Sequence, residues 1–129
     1  MNKIIIDSSA WIEYFKGTEK GRLVREQILK QNTLLYTTGL IVAEVCTKFL
    51  KEGLPTEEAV TAMKSLTSII PFDFRVGEEA AKIYINERKK REKFGLADAH
   101  VIATARLVKG KILTCDYDFH EISEALVLR

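Results

Sequence analysis

Four acidic residues stand where the residue pattern predicts loops or helix ends, and together they could hold a divalent cation. They are Asp7, Glu44, Asp98 and Asp116, which are far apart in the chain. Each follows or interrupts an apolar run. Carboxylates gathered at one edge of a sheet provide the oxygen ligands that hard divalent cations prefer, and Mg²⁺ keeps several waters for chemistry on phosphate groups. The pattern therefore points to hydrolysis of phosphate esters.

Asp7 and Asp98 are the acids that are hardest to explain as ordinary structural residues. Asp7 ends a run of isoleucines, and a carboxylate at the end of a buried strand is costly unless something pairs with it. The two serines after it are better placed to cap the next helix. Asp98 precedes Val101 and Ile102 by three and four residues, so it shares their apolar helix face. The helix dipole gives Asp98 a structural reason as well.

Glu44 and Asp116 have stronger structural alternatives. Glu44 precedes Lys48 by four residues, the spacing of a favourable helical ion pair. Asp116 and Asp118 follow a predicted strand, where aspartates often make turn hydrogen bonds. Asp116 is nearer to the strand and is the better candidate for the site. We expect Asp118 to cap a short helix that starts near Phe119.

The apolar pattern predicts strands that alternate with helices. The predicted strands cover residues 3–7, 34–37, 68–72, 111–114 and 126–128, and the predicted helices cover residues 10–15, 23–30, 40–51, 56–65, 76–93, 96–108 and 119–124. Such alternation is typical of a parallel sheet with helices on both faces. Ligands bind beyond the carboxyl ends of strands in these folds. Asp7 and Asp116 would open into one crevice if their strands are neighbours.

Composition is that of an ordinary globular protein, and we expect one domain over residues 1–129. The chain is 47% hydrophobic and 29% charged, and its net charge of +2 does not decide for or against a nucleic-acid partner. No apolar stretch approaches the roughly 20 residues of a membrane span, and no signal peptide is recognisable. We therefore expect a cytoplasmic protein with no membrane association, in which Cys46 and Cys115 are reduced thiols.

Basic residues cluster once, just before the Asp98 motif. The cluster comprises Arg88, Lys89, Lys90 and Arg91, with Lys93 beyond them. Charge runs on helices usually face solvent, and neighbouring glutamates dilute this one. Close to Asp98, however, the cluster could neutralise phosphates that flank a substrate bond.

The histidines and the first aromatic group are not needed for the chemistry. His100 is two residues from Asp98 and so points to another side of the helix, and His120 lies beyond the fourth strand. We expect both to be structural or surface residues. Trp11, Tyr14 and Phe15 have the spacing of a packing surface or a protein-binding surface rather than of a platform for bases.

The ordered set of acidic motifs resembles the PIN-domain family, most of all the VapC-type toxin ribonucleases of prokaryotic toxin–antitoxin pairs. The residues that carry the resemblance are Asp7-Ser8-Ser9, Glu44 after the Thr38-Gly39 turn, Leu96-Ala97-Asp98-Ala99, and Thr114-Cys115-Asp116 followed by Asp118-Phe119. Each motif is weak alone, but the four in this order are specific and span nearly the whole chain. All four acidic positions are present, so we do not expect an inactive relative.

The resemblance implies a three-layer α/β/α fold around a central parallel sheet of about five strands in the order 3-2-1-4-5. In that order the strands before Asp7 and Asp116 are neighbours. The resemblance also implies Mg²⁺ or Mn²⁺ held mainly by Asp7, Asp98 and Asp116, with Glu44 a ligand directly or through water.

The resemblance extends to residues around the acids. Ser9 matches the family's small polar residue beside the first aspartate, a hydrogen-bond partner for a site carboxylate or a bound phosphate. Thr114 and Asp118 belong to the last motif and are further candidates to support the site or contact substrate, as are the basic residues named above.

The implied function is a divalent-metal-dependent endoribonuclease that hydrolyses RNA phosphodiester bonds as the toxin of a toxin–antitoxin pair. A homodimer and a small protein antitoxin that blocks the site are implied with it. In the expected mechanism one metal ion lowers the pKa of a water that attacks the phosphate, and a second stabilises the leaving oxygen. Because clustered carboxylates repel one another, at least one carboxyl pKa should be raised without metal.

The sequence leaves two alternatives open. One is a PIN-type nuclease that processes RNA or acts on DNA, although the chain lacks the large insertion expected for DNA flap cleavage. The other is a non-enzymatic, Mg²⁺-binding module like a response-regulator receiver. Receivers have an acidic pair near the first strand and a lysine after the last, whereas the acids here are spread over four segments and Lys111 precedes its strand.

Overall fold

A computed structural model describes residues 1–129, and at its centre is a five-stranded parallel sheet. The strands are β1 (Asn2–Ile6), β2 (Thr33–Thr37), β3 (Ser68–Ile69), β4 (Lys111–Thr114) and β5 (Ala125–Val127). Their order is β3-β2-β1-β4-β5, and every neighbouring pair is parallel. The expected order is confirmed. β1 and β4 lie side by side, with Ile6 paired to Leu113.

Six α-helices connect and cover these strands. They are α1 (Ser8–Lys16), α2 (Glu19–Ile28), α3 (Gly39–Lys51), α4 (Glu57–Leu66), α5 (Phe74–Arg88) and α6 (Leu96–Val108), and a short 3₁₀ helix spans Tyr117–Phe119. Ile5 and Ile6 of β1 are both fully buried. Successive side chains of a strand point to opposite faces, so both faces of the sheet are covered and the fold has three layers. No helix has the length and apolar character needed to cross a membrane.

One apolar cluster fills the space between the layers, and it anchors the segments that carry the acids. It includes Trp11 of α1 and Ile102 of α6, both fully buried. Phe119, also fully buried, fixes the 3₁₀ helix to the same core beside Phe94. The segments that carry the acids are therefore attached to a rigid centre rather than to mobile loops.

The predicted long helix over 76–93 was wrong at its end, because α5 stops at Arg88. Beyond it the chain turns, and the guanidinium of Arg91 donates to the carbonyl of Asp118 in the 3₁₀ helix and to the carboxylate of Glu121 just after that helix. Only Arg88 of the basic cluster is therefore helical, and from Lys89 onward the cluster lies in a turn beside the segment that follows β4. The predicted ranges of α2 and β3 were also wrong. α2 begins at Glu19 and not at residue 23, and β3 covers only Ser68–Ile69 of the predicted residues 68–72.

Candidate active site

Asp7 and Asp116 follow the two central strands and meet at the same sheet edge. The backbone N–H of Asp7 donates to the carbonyl of Leu113 at 2.9 Å, which extends the pairing of β1 with β4 by one residue. The Asp7 side chain is buried, with 5% of its residue surface exposed. The two acids therefore follow neighbouring strands, as the strand order implied.

Two hydroxyls orient the Asp7 carboxylate through one of its oxygens. Thr114 Oγ1 donates to Asp7 Oδ2 at 2.9 Å, and Ser9 Oγ donates to the same oxygen at 3.0 Å. The same hydroxyls accept backbone N–H groups, Ser9 from Cys115 and Thr114 from Asp116, each at 3.0 Å. This network ties the first turn of α1 to the end of β4.

The expectation that serines cap α1 was wrong. Asp7 occupies the N-cap position, although its side chain makes no capping hydrogen bond, and Ser8 and Ser9 lie inside the first turn. The Ser9 hydroxyl is used instead on the Asp7 carboxylate. Orienting a buried carboxylate is the stronger demand, because an unpaired charge there costs more than an uncapped N–H group.

Asp98 and Asp116 are each held through one oxygen in a similar way. Asp98 Oδ2 accepts the backbone N–H of Gly95 at 2.9 Å, and Asp116 Oδ1 accepts that of Asp118 at 2.9 Å. Asp116 therefore makes the turn contact of its structural alternative, and Asp98 makes a cap contact at the start of α6. Each contact uses a single oxygen, however, so each carboxylate keeps a second oxygen for another ligand.

Glu44 extends the group from α3, and its structural alternative is not realised. Lys48, the expected helical ion-pair partner, bonds Glu52 at 3.4 Å instead. No ion pair of the structure includes any of the four acids. The acidic group is thus not neutralised by any lysine or arginine.

His100 links the helices that carry Glu44 and Asp98, a contact that sequence reasoning missed. Its Nε2 lies 2.7 Å from Thr38 Oγ1, which accepts the backbone N–H of Ile41 as the cap of α3. Its Nδ1 lies 2.5 Å from the carbonyl of Ala97 in α6. His100 is fully buried, and burial lowers its pKa. A neutral ring that donates to the carbonyl and accepts from the threonine satisfies both contacts, in keeping with a structural residue.

The electrostatics of the site raise the carboxyl pKa of three acids, Glu44, Asp98 and Asp7. Burial, followed by the charges of Asp7 and Asp98, raises the pKa of Glu44 to about 7. Burial, with added repulsion from Asp7, Asp116 and Asp118, raises the pKa of Asp98 to about 6. Burial also raises the pKa of Asp7, against the lowering effect of its hydroxyl partners. A raised carboxyl pKa was expected, but burial contributes more to it than repulsion does.

The donor chemistry fits Mg²⁺ or Mn²⁺ with water in the coordination sphere. All candidate ligands are carboxylate oxygens, as hard cations require, and their charge has no counterion within the protein. No three histidine, cysteine, aspartate or glutamate side chains approach closely enough to form a compact ligand set. Mg²⁺ usually binds proteins through one or two carboxylates and keeps several waters. The remaining carboxylates would then act through those waters.

The basic cluster is divided between structural and free side chains. Arg91 bonds the carbonyl of Asp118 and the carboxylate of Glu121, so its guanidinium braces the turn that holds Asp116. Arg88 donates to the hydroxyl of Tyr84 at 2.9 Å. The lysines Lys89, Lys90 and Lys93 are exposed and make no ion pair. The three lysines are therefore free to bind phosphates, whereas both arginines already have partners within the protein.

Asp118 lies in the first turn of the 3₁₀ helix, whose N-cap is Asp116. The predicted capping role of Asp118 was therefore wrong by two residues. The predicted helix over 119–124 was wrong as well, because the short helix starts two residues earlier and ends at Phe119. Its carboxylate is exposed and contributes to the raised pKa of Asp98. It remains a candidate for contact with substrate at the rim of the site.

Comparisons with known proteins identify the family and the fold. The family model described as the PIN domain matches residues 4–125. Among solved structures, Mycobacterium tuberculosis VapC20, a toxin that cleaves the sarcin-ricin loop, superposes with a TM-score of 0.77 at 14% identity, covering 98% of this chain and 99% of that one. A toxin–antitoxin complex from Klebsiella pneumoniae has a TM-score of 0.71 at 20% identity, with 96% of each chain covered.

A third structure, VapBC-1 from nontypeable Haemophilus influenzae, has a TM-score of 0.70 at 17% identity and covers 97% of each chain. At these identities the likeness is one of fold. No curated protein sequence matches the chain significantly.

Proposed function

The chain belongs to the PIN domain family, and on that premise we propose that it is a divalent-metal-dependent endoribonuclease, the toxin of a toxin–antitoxin pair. The observation that carries the proposal is the group of four uncompensated carboxylates at the carboxyl edge of β1 and β4. Such a group is unfavourable in the empty protein and becomes favourable when a cation is bound.

Asp7, Asp98 and Asp116 are the residues that would hold the ion, one or two of them directly and the rest through its waters, and Glu44 would bind directly or through water. When bound, Mg²⁺ or Mn²⁺ lowers the pKa of a water and stabilises negative charge on the phosphate. Ser9 and Thr114 fix Asp7 through Oδ2, which leaves Oδ1 available to a ligand. The two hydroxyls hold the Asp7 carboxylate in one orientation before any ion binds, which reduces the reorganisation that binding requires.

RNA as the substrate is supported by the family and by exposed cations near the site. Lys90 and Lys93 lie in the turn that also carries Arg91, next to the end of β4. Each could neutralise a phosphate that flanks the cleaved bond, which would make affinity fall with salt. VapC20, whose fold this chain shares, is a toxin that cleaves the sarcin-ricin loop.

A protein antitoxin and a homodimer are the partners that we propose. The solved relatives include toxin–antitoxin complexes. Large apolar side chains are exposed on one side of the fold near β3, notably Ile69, Phe72 and Phe74, whose exposures are 62%, 49% and 99%. Contiguous exposed apolar side chains are typical of protein-binding surfaces.

The receiver-like alternative is not supported by the fold. Receiver domains have the strand order 2-1-3-4-5, whereas the order here is β3-β2-β1-β4-β5. A nuclease that acts on DNA would cut single-stranded DNA and leave RNA intact.

The proposal is tested by incubating the purified protein with tRNA, ribosomal RNA and single-stranded DNA, with Mg²⁺, Mn²⁺ or EDTA. We expect metal-dependent cutting of RNA that both Asp98→Asn and Glu44→Gln abolish. The control is Glu58→Gln, which removes the same charge from an exposed position of α4 and should cut like the wild type. Cutting that persists in EDTA or in Asp98→Asn would contradict the proposal, and cutting of DNA alone would change the substrate.

A further inference from the structure

An aromatic pair follows the last site carboxylate in the chain. The rings of Tyr117 and His120 are stacked, with centroids 4.3 Å apart and planes 9° from parallel. Tyr117 is the residue after Asp116, and 52% of its surface is exposed. The site described above makes no use of either ring.

The pair is held in a fixed orientation by its surroundings. His120 Nδ1 lies 2.8 Å from the carbonyl of Tyr117, close enough to donate a hydrogen bond to it. Phe119, between them in sequence, is fully buried, and Arg91 bonds the carbonyl of Asp118. A large aromatic surface that is both exposed and immobile has little conformational entropy to lose when a ligand covers it.

A cation already lies over the tyrosine ring. The guanidinium carbon of Arg129 is 4.5 Å from the ring centroid of Tyr117. Exposed contacts of this kind are weak. A nucleobase that stacks more strongly than the guanidinium could displace Arg129 from the Tyr117 ring. The displaced guanidinium could then pair with a phosphate of the same RNA strand.

Charge alone does not account for recognition at this place. The neighbouring cavity of about 450 Å³ is lined by Lys90, Arg91 and Lys93 but also by Glu92, Asp118 and Glu121, so its net charge is small. A ligand held there needs an attraction that does not depend on charge. Stacking on an aromatic ring supplies it, since every nucleobase has a π-face.

We propose that Tyr117, backed by His120, is the platform on which an unpaired RNA base stacks next to the phosphodiester that is cut. This inference rests on the proposed function and deepens it. Recognition of single-stranded RNA commonly uses splayed bases stacked on aromatic side chains. Tyr117 directly follows Asp116, a candidate metal ligand. The position of the stacked nucleotide would therefore set which phosphodiester bond enters the site.

The test measures binding of two fluorescent oligomers of about twelve nucleotides, one of adenosines and one of the same length whose sugars carry no bases. Fluorescence anisotropy is recorded in Mg²⁺ on protein carrying Asp98→Asn, which prevents cleavage. Adding Tyr117→Ala should weaken binding of the adenosine oligomer about tenfold and leave the abasic oligomer unaffected. Tyr117→Phe, which keeps the ring, should bind both oligomers like the parent.

Salt dependence separates stacking from a charge effect. Tyr117→Ala removes no cation, so the slope of log Kd against log salt should stay that of the parent, whereas Lys90→Ala should reduce it by about 0.7. Equal weakening of both oligomers by Tyr117→Ala, or adenosine binding within twofold of the parent, would overturn the inference.

A second variant keeps the inference testable if Tyr117→Ala unfolds the turn. Tyr117→Trp retains a stacking ring, and its fluorescence should be quenched by the adenosine oligomer and not by the abasic one, over the constant signal of buried Trp11. No quenching would overturn the platform. If the parent protein binds neither oligomer and the wild type cuts no RNA, the proposed function fails as well; if it cuts RNA and Tyr117→Ala binds normally, only the platform fails.

Discussion

Glu44→Gln should stabilise the metal-free protein at alkaline pH while it abolishes cleavage. In the folded state burial and the charges of Asp7 and Asp98 raise the pKa of Glu44 from 4.5 to about 7. The folded protein therefore binds the Glu44 proton more tightly than the unfolded chain does. Between these two pKa values the folded state carries more protons, so this residue's contribution to stability is complete below pH 4.5 and is lost as the pH rises through 7.

The size of the effect follows from the same pKa values. Ionising a carboxyl whose pKa has been raised from 4.5 to about 7 costs at most about 3 kcal/mol of folding free energy. Glu44 is only half-buried, and water screens much of this cost, so we expect about 1 kcal/mol. For a domain of this size that corresponds to an increase in Tm of about 3–5 °C.

Thermal and urea unfolding from pH 4 to pH 8, in EDTA, measure this difference. Glu44→Gln should match the wild type at pH 4 and exceed it at pH 8, and Glu58→Gln should match the wild type throughout. Mg²⁺ should stabilise the wild type and reduce the difference, because the bound ion offsets the repulsion. A Glu44→Gln protein that is equally or less stable than the wild type at pH 8 would show that the acidic group is already compensated, and would refute the electrostatic reasoning.

Three further substitutions test how the site is held. Thr114→Val removes a hydroxyl that donates to Asp7 at 2.9 Å; since that bond lowers the pKa of Asp7, the acid limb of a pH profile of kcat/KM should move to higher pH, and an unmoved limb would contradict the role. Arg91→Ala frees the turn after β4 and should reduce cleavage about tenfold or more with little change in circular dichroism; full activity would show that the brace is dispensable. Gly21→Ala places a Cβ 2.1 Å from a carbonyl oxygen of α1 and should lower the free energy of unfolding by about 3 kcal/mol. The control is Gly39→Ala, whose Cβ would have no neighbour within 4 Å and should leave that free energy unchanged, and urea titrations compare the two variants.

Several features of the fold and of the candidate site were determined by the sequence. Continuous apolar runs such as Ile4–Ile6 predicted buried central strands, and β1 lies within one residue of its predicted range. Asp7 and Asp98 stood out because a carboxylate on an apolar strand end or helix face is costly without a partner. These signals are local, since periodicity and capping depend on residues within a few positions of one another. The strand order came from the family resemblance rather than from periodicity.

The tertiary structure alone decided what surrounds those acids. Thr114 and Asp7 are 107 residues apart and share a hydrogen bond, and His100 reaches across 62 residues to Thr38. The end of α5 was also decided by tertiary contacts. The sequence predicted a helix to residue 93, but α5 ends at Arg88 and Arg91 bonds the carbonyl of Asp118 in the 3₁₀ helix. Contacts between distant segments depend on how the layers pack, and no local propensity encodes which hydroxyl or guanidinium will meet a given carboxylate or carbonyl.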